Sequence, residues 1–236
     1  RTREPYRTQL GDLFHGFFDA MMRMTRFDVW IAPIGVFGIN ARIVAPTGLS
    51  ALKSFGFYFF IFLKGLAIHA FVNLPFLVYL TTRKNPLGHY KGMLPALVTG
   101  FSTCSTVVTL PLTMKAVTEN SKVSEKIASF VLPLGESVTM VGTALYECVA
   151  VIFIALVYNF DLTFTAQLVI VFTALLASIG AASVPMSGMV MMSIILGAVG
   201  LPLEGVAVIL AVDRVLDMFR TMNNVLSDSV GAVIVG

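Results

Sequence analysis

Apolar stretches long enough for membrane-spanning helices fill most of this chain, and short polar turns separate them. Segments 51–82, 122–159 and 202–235 each exceed the about 20 residues that a helix needs to cross a bilayer. Segment 9–46 begins polar and amphipathic and becomes apolar, with a kink predicted at Pro33. The pattern therefore predicts an all-α membrane protein.

Two further apolar segments, 90–116 and 165–198, are interrupted near their middle by small polar residues and followed by proline or glycine. Each half is too short to span a bilayer, and lipid tolerates non-helical backbone only where protein or water covers it. Two such segments at corresponding positions are typical of inverted-repeat transporters. We therefore predict two re-entrant helical hairpins, whose tips meet near the bilayer midplane and offer backbone N–H groups to an anionic ligand.

One face of the last apolar segment carries charged and polar side chains. At about 100° per residue, five of them fall within roughly 80° of each other: Asp213, Asp217, Arg220, Asn224 and Asp228. A charged side chain in hydrocarbon costs about 2.5–3.5 kcal/mol even on lenient insertion scales. This polar stripe is therefore predicted to face protein, water, ions or substrate, and is the first candidate for a functional site.

The composition agrees with a membrane protein. Hydrophobic residues make up 57% of the chain, charged residues 12%, and the mean hydropathy is +0.87, whereas soluble domains average about 25% charged residues. The net charge of +3 comes from basic residues in the connecting turns, a distribution that does not indicate a nucleic-acid partner. Cys104 and Cys148 lie in apolar surroundings and are expected to be free thiols. No catalytic triad, zinc motif or nucleotide loop is recognisable, so no enzyme is predicted.

Several short motifs carry a resemblance to a known family. They include Gly-Leu-Ala-Ile-His at 65–69, Thr-Leu-Pro-Leu-Thr at 109–113, Leu-Pro-Leu-Gly at 132–135 and Gly-Thr-Ala-Leu-Tyr-Glu at 142–147. Further matches lie at 32–37, 82–86 and 178–182, and in the polar stripe. With these motifs the chain resembles the glutamate transporter (dicarboxylate/amino acid:cation symporter) family, and within it the eukaryotic excitatory amino-acid transporters.

The resemblance implies the C-terminal portion of a transport domain. Residues 1–82 would form the fragment's two long N-terminal transmembrane helices. Residues 83–236 would form hairpin one, a broken helix, hairpin two and the polar-stripe helix, which together make the substrate and ion core. The family assembles as homotrimers mainly through earlier helices that this sequence lacks, so a trimer would depend on helices absent here.

The resemblance also assigns roles in binding an acidic amino acid. Arg220 resembles the arginine that pairs with the substrate's side-chain carboxylate, and Asp217 the group that accepts from its amino group. An internal ion pair of Arg220 with Asp217 or Asp213 is the alternative, and the two are compatible. For Thr143 the alternative is a bond to its own helix backbone. The full predicted substrate set is Ser105, Thr106, Thr143, Val184, Gly188, Asp217, Arg220, Thr221 and Asn224.

Sodium sites are implied in the same way, from carboxylate, hydroxyl, amide and backbone oxygens at broken helices. For the small residues of hairpin two, simple helix packing is the alternative. The predicted ligands are Gly135, Ser137, Thr139, Ser178, Ile179, Ala181, Asn224 and Asp228.

The broken helix departs from the family pattern Asn-Met-Asp-Gly-Thr. This chain has Thr139 in place of the amide and Val141 in place of the carboxylate, so one sodium site is expected to be weakened and another lost. Glu136 stands where the family has a small residue, and the sequence leaves open whether it compensates the missing charge or faces a polar interface. Glu147 matches the glutamate proposed as proton carrier in members that also counter-transport potassium; a carboxyl paired with a hydroxyl is its alternative.

These expectations combine into cation-coupled transport of aspartate or glutamate by alternating access, at a membrane that we expect to be the plasma membrane. Sodium is the expected cofactor, with proton and potassium coupling as additions, and the expected partners are the acidic amino acid or dicarboxylate and the lipid bilayer. Two alternatives remain open: a non-transporting truncated member that acts as a subunit, and an anion-conducting protein. The number of coupled ions stays open because of Thr139 and Val141.

Overall fold

The computed structural model describes residues 50–83, 85–181 and 187–236, together with the scattered positions 9, 12, 13, 16, 20 and 23; for 50–55, 207, 208 and 211 only the backbone is described. The chain divides into two compact units, Arg1–Thr47 and Gly48–Gly236. In the first unit the described positions are helical and exposed. The predicted kink at Pro33 lies outside the described residues, and the predicted functional boundary at 82/83 stays a prediction.

The second unit opens with a helix that continues through one wider turn. Helix α1 (Ser50–Ile68) leads into a π-helical turn (His69–Asn73) and then into α2 (Leu74–Thr82). Widened turns leave backbone carbonyls without their usual partners. Here Asn223 donates to the Leu66 carbonyl at 3.0 Å, and the Tyr90 hydroxyl donates to the Ala70 carbonyl.

Hairpin one consists of α3 (Pro86–Thr103) and α4 (Thr106–Glu119). Asn85 caps the start of α3 by accepting from the Leu87 N–H at 2.9 Å, and Pro86 occupies the first helical position, where its missing N–H costs nothing. The tip is two residues long: Cys104 adopts a left-handed conformation (φ 53°) and Ser105 is the N-cap of α4. The predicted interruption of segment 90–116 is therefore this sharp turn.

The broken helix consists of α5 (Glu125–Val138) and α6 (Val141–Val157). Ser124 caps α5, and the helical path is interrupted at Thr139 and Met140. Hairpin two consists of α7 (Phe164–Gly180) and α8 (Ser187–Val199), and residues 182–186 lie outside the described residues.

Helix α9 (Gly205–Val235) is 31 residues long and forms the centre of the second unit. It packs against α1 to α6 and against α8. An apolar core lies between α9, hairpin one, α2 and α5, and includes Leu74, Met93, Val117, Leu132 and Val225. The polar stripe and this core share one helix, so the packing that stabilises the fold also fixes the depth of the stripe.

Every regular element in the described ranges is a helix. Two stretches, Gly56–Thr82 and Glu125–Val157, are long and apolar enough to cross a membrane, with 27 and 33 residues. Many large apolar side chains remain on the outside of the unit, among them Phe57, Phe60, Phe71, Phe76 and Leu80. The all-α prediction is confirmed, and the exposed apolar exterior suits a lipid environment.

Candidate functional site

The polar stripe of α9 is buried along its whole length. Asp213, Asp217, Arg220, Asn224 and Asp228 are each between 1% and 7% exposed. The helix turns their side chains toward α5, α6 and the two hairpins and away from the apolar exterior, as the cost of a charge in hydrocarbon requires.

Arg220 and Asp217 form a buried ion pair. The Arg220 Nη2 donates to Asp217 Oδ1 at 2.6 Å, and the two side chains are 4% and 1% exposed. Thr221 donates its hydroxyl to the same carboxylate oxygen at 3.4 Å. The internal pair that the sequence offers as an alternative is therefore present. The Arg220 Nη1, however, is buried with no hydrogen-bond partner within the described part of the chain.

Tyr146 on α6 completes the surroundings of the guanidinium. The Arg220 Cζ lies 4.9 Å from the centroid of the Tyr146 ring, within range of a cation–π interaction. The Tyr146 hydroxyl donates to Asp213, whose second oxygen has no partner among the described residues. From the sequence, Tyr146 was not placed in the site, and Asp213 was included only as part of the polar stripe and as a possible partner of Arg220. The available signal was the position of Tyr146 one helical turn after Thr143, on the same face of α6.

Gly188, at the start of α8, brings hairpin two against the same guanidinium. A Cβ atom at this position would collide with the Arg220 Nη1 and come within 3.2 Å of the Tyr146 ring. Only glycine leaves room for this approach. Gly188 is therefore placed beside Arg220, whereas Val184, the other residue predicted from this hairpin, lies outside the described residues.

Asn224 joins α9 to the broken helix. Its Oδ1 accepts from the Gly142 N–H at 2.8 Å, and its Nδ2 donates to the Thr143 hydroxyl at 3.2 Å. Gly142 lies in the first turn of α6, where N–H groups have no partner within the helix. Thr143 is buried, and its hydroxyl accepts the hydrogen bond from Asn224 across the interface between α6 and α9.

The tip of hairpin one presents two buried hydroxyl residues. Ser105 accepts from the Val108 N–H at 3.4 Å, and Thr106 donates its hydroxyl to the Glu136 Oε1 at 3.3 Å. Val107 and Val108 are exposed. The predicted carboxylate-binding residues are thus at the N-terminus of α4, and one of them reaches across to α5.

The predicted sodium ligands fall into two places. On α5 and α9, Gly135 lies against Asp228, Ser137 is exposed and Thr139 is half-buried at the helix break. At the end of α7, Ser178 is buried and donates to the Leu175 carbonyl at 2.9 Å, the Ile179 side chain is exposed, and Ala181 is buried. The Asp228 Oδ1 has no hydrogen-bond partner within the described ranges.

Glu147 is fully buried on α6, and neither carboxyl oxygen has a hydrogen-bond partner in the described residues. The alternative in which a hydroxyl pairs with this carboxyl is not realised within that part of the chain. Both cysteines are free, as predicted.

Comparison with known proteins identifies the family of the chain. The family model described as "Sodium:dicarboxylate symporter family" matches residues 2–236. The chain is 46% identical over 228 residues to excitatory amino acid transporter 1 of Ambystoma tigrinum, 44% identical over 227 residues to excitatory amino acid transporter 3 of Homo sapiens, and 42% identical over 228 residues to excitatory amino acid transporter 4 of Mus musculus. These alignments cover 96% of this chain and 42%, 43% and 41% of the respective relatives, so the chain spans less than half their length.

The match confirms the resemblance to this family that the sequence motifs indicated. Membership of this family agrees with the structure, in which the polar stripe is buried inside a helical unit and large apolar side chains are exposed on the outside. The chain belongs to the sodium:dicarboxylate symporter family.

Proposed function

We propose that the chain forms the core of a carrier for aspartate or glutamate, coupled to sodium and working by alternating access. The observation that carries this proposal is Arg220. Its guanidinium is buried, is held in place by Asp217, and keeps Nη1 without a hydrogen-bond partner in the described residues. An unsatisfied buried donor on a charged group is costly, and a carboxylate from a bound ligand would satisfy it.

The neighbouring groups suit the rest of an amino acid. The hydroxyls of Ser105 and Thr106 and the N–H groups at the start of α4 would hold the α-carboxylate, and Asp217 would accept from the amino group. Thr143 on α6, and Thr221 and Asn224 on α9, would line the same pocket. Val184 and Gly188 would close this pocket from hairpin two. The contact between Gly188 and Arg220 supports hairpin two as the gate.

Sodium would be the co-transported cation. The residues fit this role because Asp228 offers a buried carboxylate oxygen with no partner in the described ranges, and hard cations prefer oxygen ligands. Asn224, Thr139 and the Gly135 carbonyl would contribute to that place. Ser178, Ile179 and Ala181, together with Ser137 from α5, would contribute to a second one at hairpin two.

Proton coupling through Glu147, potassium counter-transport, a plasma-membrane location and trimeric assembly are further parts of the proposal. Glu147 suits a proton carrier because a buried carboxylate without partners is costly, and a proton removes the charge. The other three parts rest on family membership.

The proposal is tested by radiolabelled aspartate uptake into proteoliposomes, with and without an inward sodium gradient. Arg220→Lys is the informative variant, because lysine keeps the charge beside Asp217 but lacks the planar fork of donors. We expect sodium-driven uptake by the native chain and a loss of about 10–100-fold in aspartate affinity for Arg220→Lys. Lys126→Gln, an exposed cation at the start of α5, is the control and should match the native chain.

Other outcomes would contradict transport in distinct ways. Current without uptake would favour the conducting alternative. Neither uptake nor current, together with co-purification of a full-length family member, would favour the subunit alternative. These alternatives stay open because the resemblance implies that Thr139 weakens one sodium site and that Val141 removes another.

A further inference from the structure

Two acidic side chains lie together where α5, α9 and the tip of hairpin one meet. Asp228 projects from α9 and Glu136 from α5, and the two side chains are 7% and 8% exposed. Glu136 is the charged group that acts electrostatically on Asp228. The pair lies apart from Arg220, which comes two helical turns earlier on α9 and is bonded to Asp217.

Asp228 points its carboxylate toward α5. A Cβ atom on Gly135 would lie 2.9 Å from Asp228 Oδ1 and 3.3 Å from its carboxyl carbon, so the oxygen reaches the backbone just before Glu136. The same oxygen has no hydrogen-bond partner in the described residues. Within the described residues Asp228 has no basic partner of the kind that Arg220 gives Asp217, and a buried carboxylate without such a partner is costly.

Thr106 adds a third oxygen from another element. Its hydroxyl lies 3.3 Å from Glu136 Oε1, and the residue is buried at the first position of α4. Hydroxyl and carboxylate oxygens from three elements form the set of hard donors that alkali and alkaline-earth cations prefer. By contrast, Val141, which stands where the family has a carboxylate, is 38% exposed and offers no side-chain oxygen.

We propose that Glu136, Asp228 and the Thr106 hydroxyl together ligate one sodium ion, so that Glu136 is a cation ligand in this chain. The inference rests on the proposed sodium coupling and extends it to two residues outside the predicted sodium ligands, Glu136 and Thr106. It also makes the cation site contact the hairpin that would hold the substrate carboxylate, through Thr106.

Sodium binding by the purified chain in nanodiscs tests the inference directly, by equilibrium binding of radioactive sodium and by the thermal midpoint with sodium or choline. We expect Glu136→Gln to raise the sodium Kd by about tenfold or more, because one ligand charge is lost. In choline, Glu136→Gln and Glu136→Ala should melt at or above the native midpoint, because repulsion with Asp228 is gone. Sodium should then stabilise the native chain and stabilise the variants much less.

The control is Glu125→Gln, which removes an exposed carboxylate from the first turn of the same helix and should leave the sodium Kd and the sodium-induced shift unchanged. The inference is overturned if Glu136→Gln binds sodium as the native chain does. It is equally overturned if both Glu136 variants melt lower by the same amount in sodium and in choline, since that pattern identifies a purely structural bond to Thr106.

Failure of this inference and failure of the proposed function give different results. If the native chain takes up aspartate with sodium, and Glu136→Gln does so with the same sodium affinity, only the role of Glu136 is contradicted. A raised sodium Kd in Glu136→Gln, without any aspartate uptake by the native chain, removes only the carrier function.

Discussion

The two ends of the polar stripe differ in how their charges are balanced. Around Arg220 the guanidinium has a bonded counter-ion: it bonds Asp217 and lies over the Tyr146 ring, and Tyr146 in turn donates to Asp213. Around Asp228, about 12 Å further along α9 at 1.5 Å per residue, the other acting charge is the carboxylate of Glu136, and Asp228 Oδ1 has no partner in the described residues. One end of the stripe therefore has a spare guanidinium donor, and the other end has a spare carboxylate oxygen without a basic neighbour among the described residues.

This difference indicates which kind of ligand each end can take. A spare guanidinium N–H suits an anion, and a spare carboxylate oxygen suits a cation. Asn224 lies between them and is bonded to Gly142 and Thr143 on α6. Opposite ligands bound a few helical turns apart on one rigid helix would each reduce the cost of binding the other, which is the physical basis of coupling.

The largest expected effect comes from removing the matched charge. Asp217→Ala leaves Arg220 buried without its ion-pair partner, which should destabilise the protein by about 3–5 kcal/mol. Thermal unfolding in detergent, followed by labelling of the newly exposed cysteines, measures this loss. Asp161→Ala, an exposed acidic residue before α7, should leave the midpoint unchanged. Equal midpoints for the two variants would show that the Arg220 end is not balanced by Asp217.

The next test concerns Asn224, which lies between the two ends of the stripe. Asn224→Ala removes both cross-helix hydrogen bonds and should cost about 1–3 kcal/mol in unfolding free energy. Thr143→Val removes only the Nδ2 bond and should cost less, since the Gly142 N–H keeps its acceptor. If Thr143→Val lowers the unfolding free energy as much as Asn224→Ala does, the hydrogen bond from the Gly142 N–H to Asn224 contributes little to stability.

A change of opposite sign is expected at the other end. In sodium-free buffer Asp228→Asn should raise the unfolding free energy by about 1–2 kcal/mol, because it removes a buried charge that faces Glu136. Adding sodium should then stabilise the native chain and leave this variant almost unchanged. A lower midpoint for Asp228→Asn in sodium-free buffer would mean that the carboxylate is already balanced within the protein.

The smallest expected effect concerns the tip of hairpin one. Ser105→Ala removes the N-cap of α4 and should cost about 1 kcal/mol. Ser124→Ala removes the N-cap of α5 on an exposed surface and should cost a similar amount. Only Ser105→Ala should also weaken aspartate binding, measured by ligand-induced thermal shift. A similar loss of aspartate affinity in both variants would remove Ser105 from the substrate site.

Much of the fold follows from local sequence. Helical spacing alone places the five stripe residues on one face, and the i,i+3 spacing of Asp217 and Arg220 permits the ion pair that forms. The interruption at 104–105 follows from the small residues Cys104 and Ser105, and the one at 139–140 begins at the polar Thr139. These features depend on residues within one or two helical turns of each other. Over that distance the geometry of a helix fixes where each side chain lies.

Contacts between distant elements were not predictable in this way. The Tyr146–Asp213 bond, the Asn223–Leu66 bond and the collision that restricts position 188 to glycine depend on how helices cross. No local sequence pattern predicts the π-helical turn at 69–73. Side chains from α3 and α9 donate hydrogen bonds to backbone carbonyls in this turn and just before it. Burial of Glu136 beside Asp228 likewise required the packed arrangement.

The cap that Asn224 places on α6 has a consequence for biosynthesis. An amide from α9 fulfils the role that a side chain at position 140 would ordinarily have, because Met140 makes no such bond. Since α9 follows α5 and α6 in the chain, the Gly142 N–H gains this acceptor only after α9 has been synthesised and has packed against α6. The break between α5 and α6 therefore reaches its final hydrogen bonding late, when the last helix of the chain is in place.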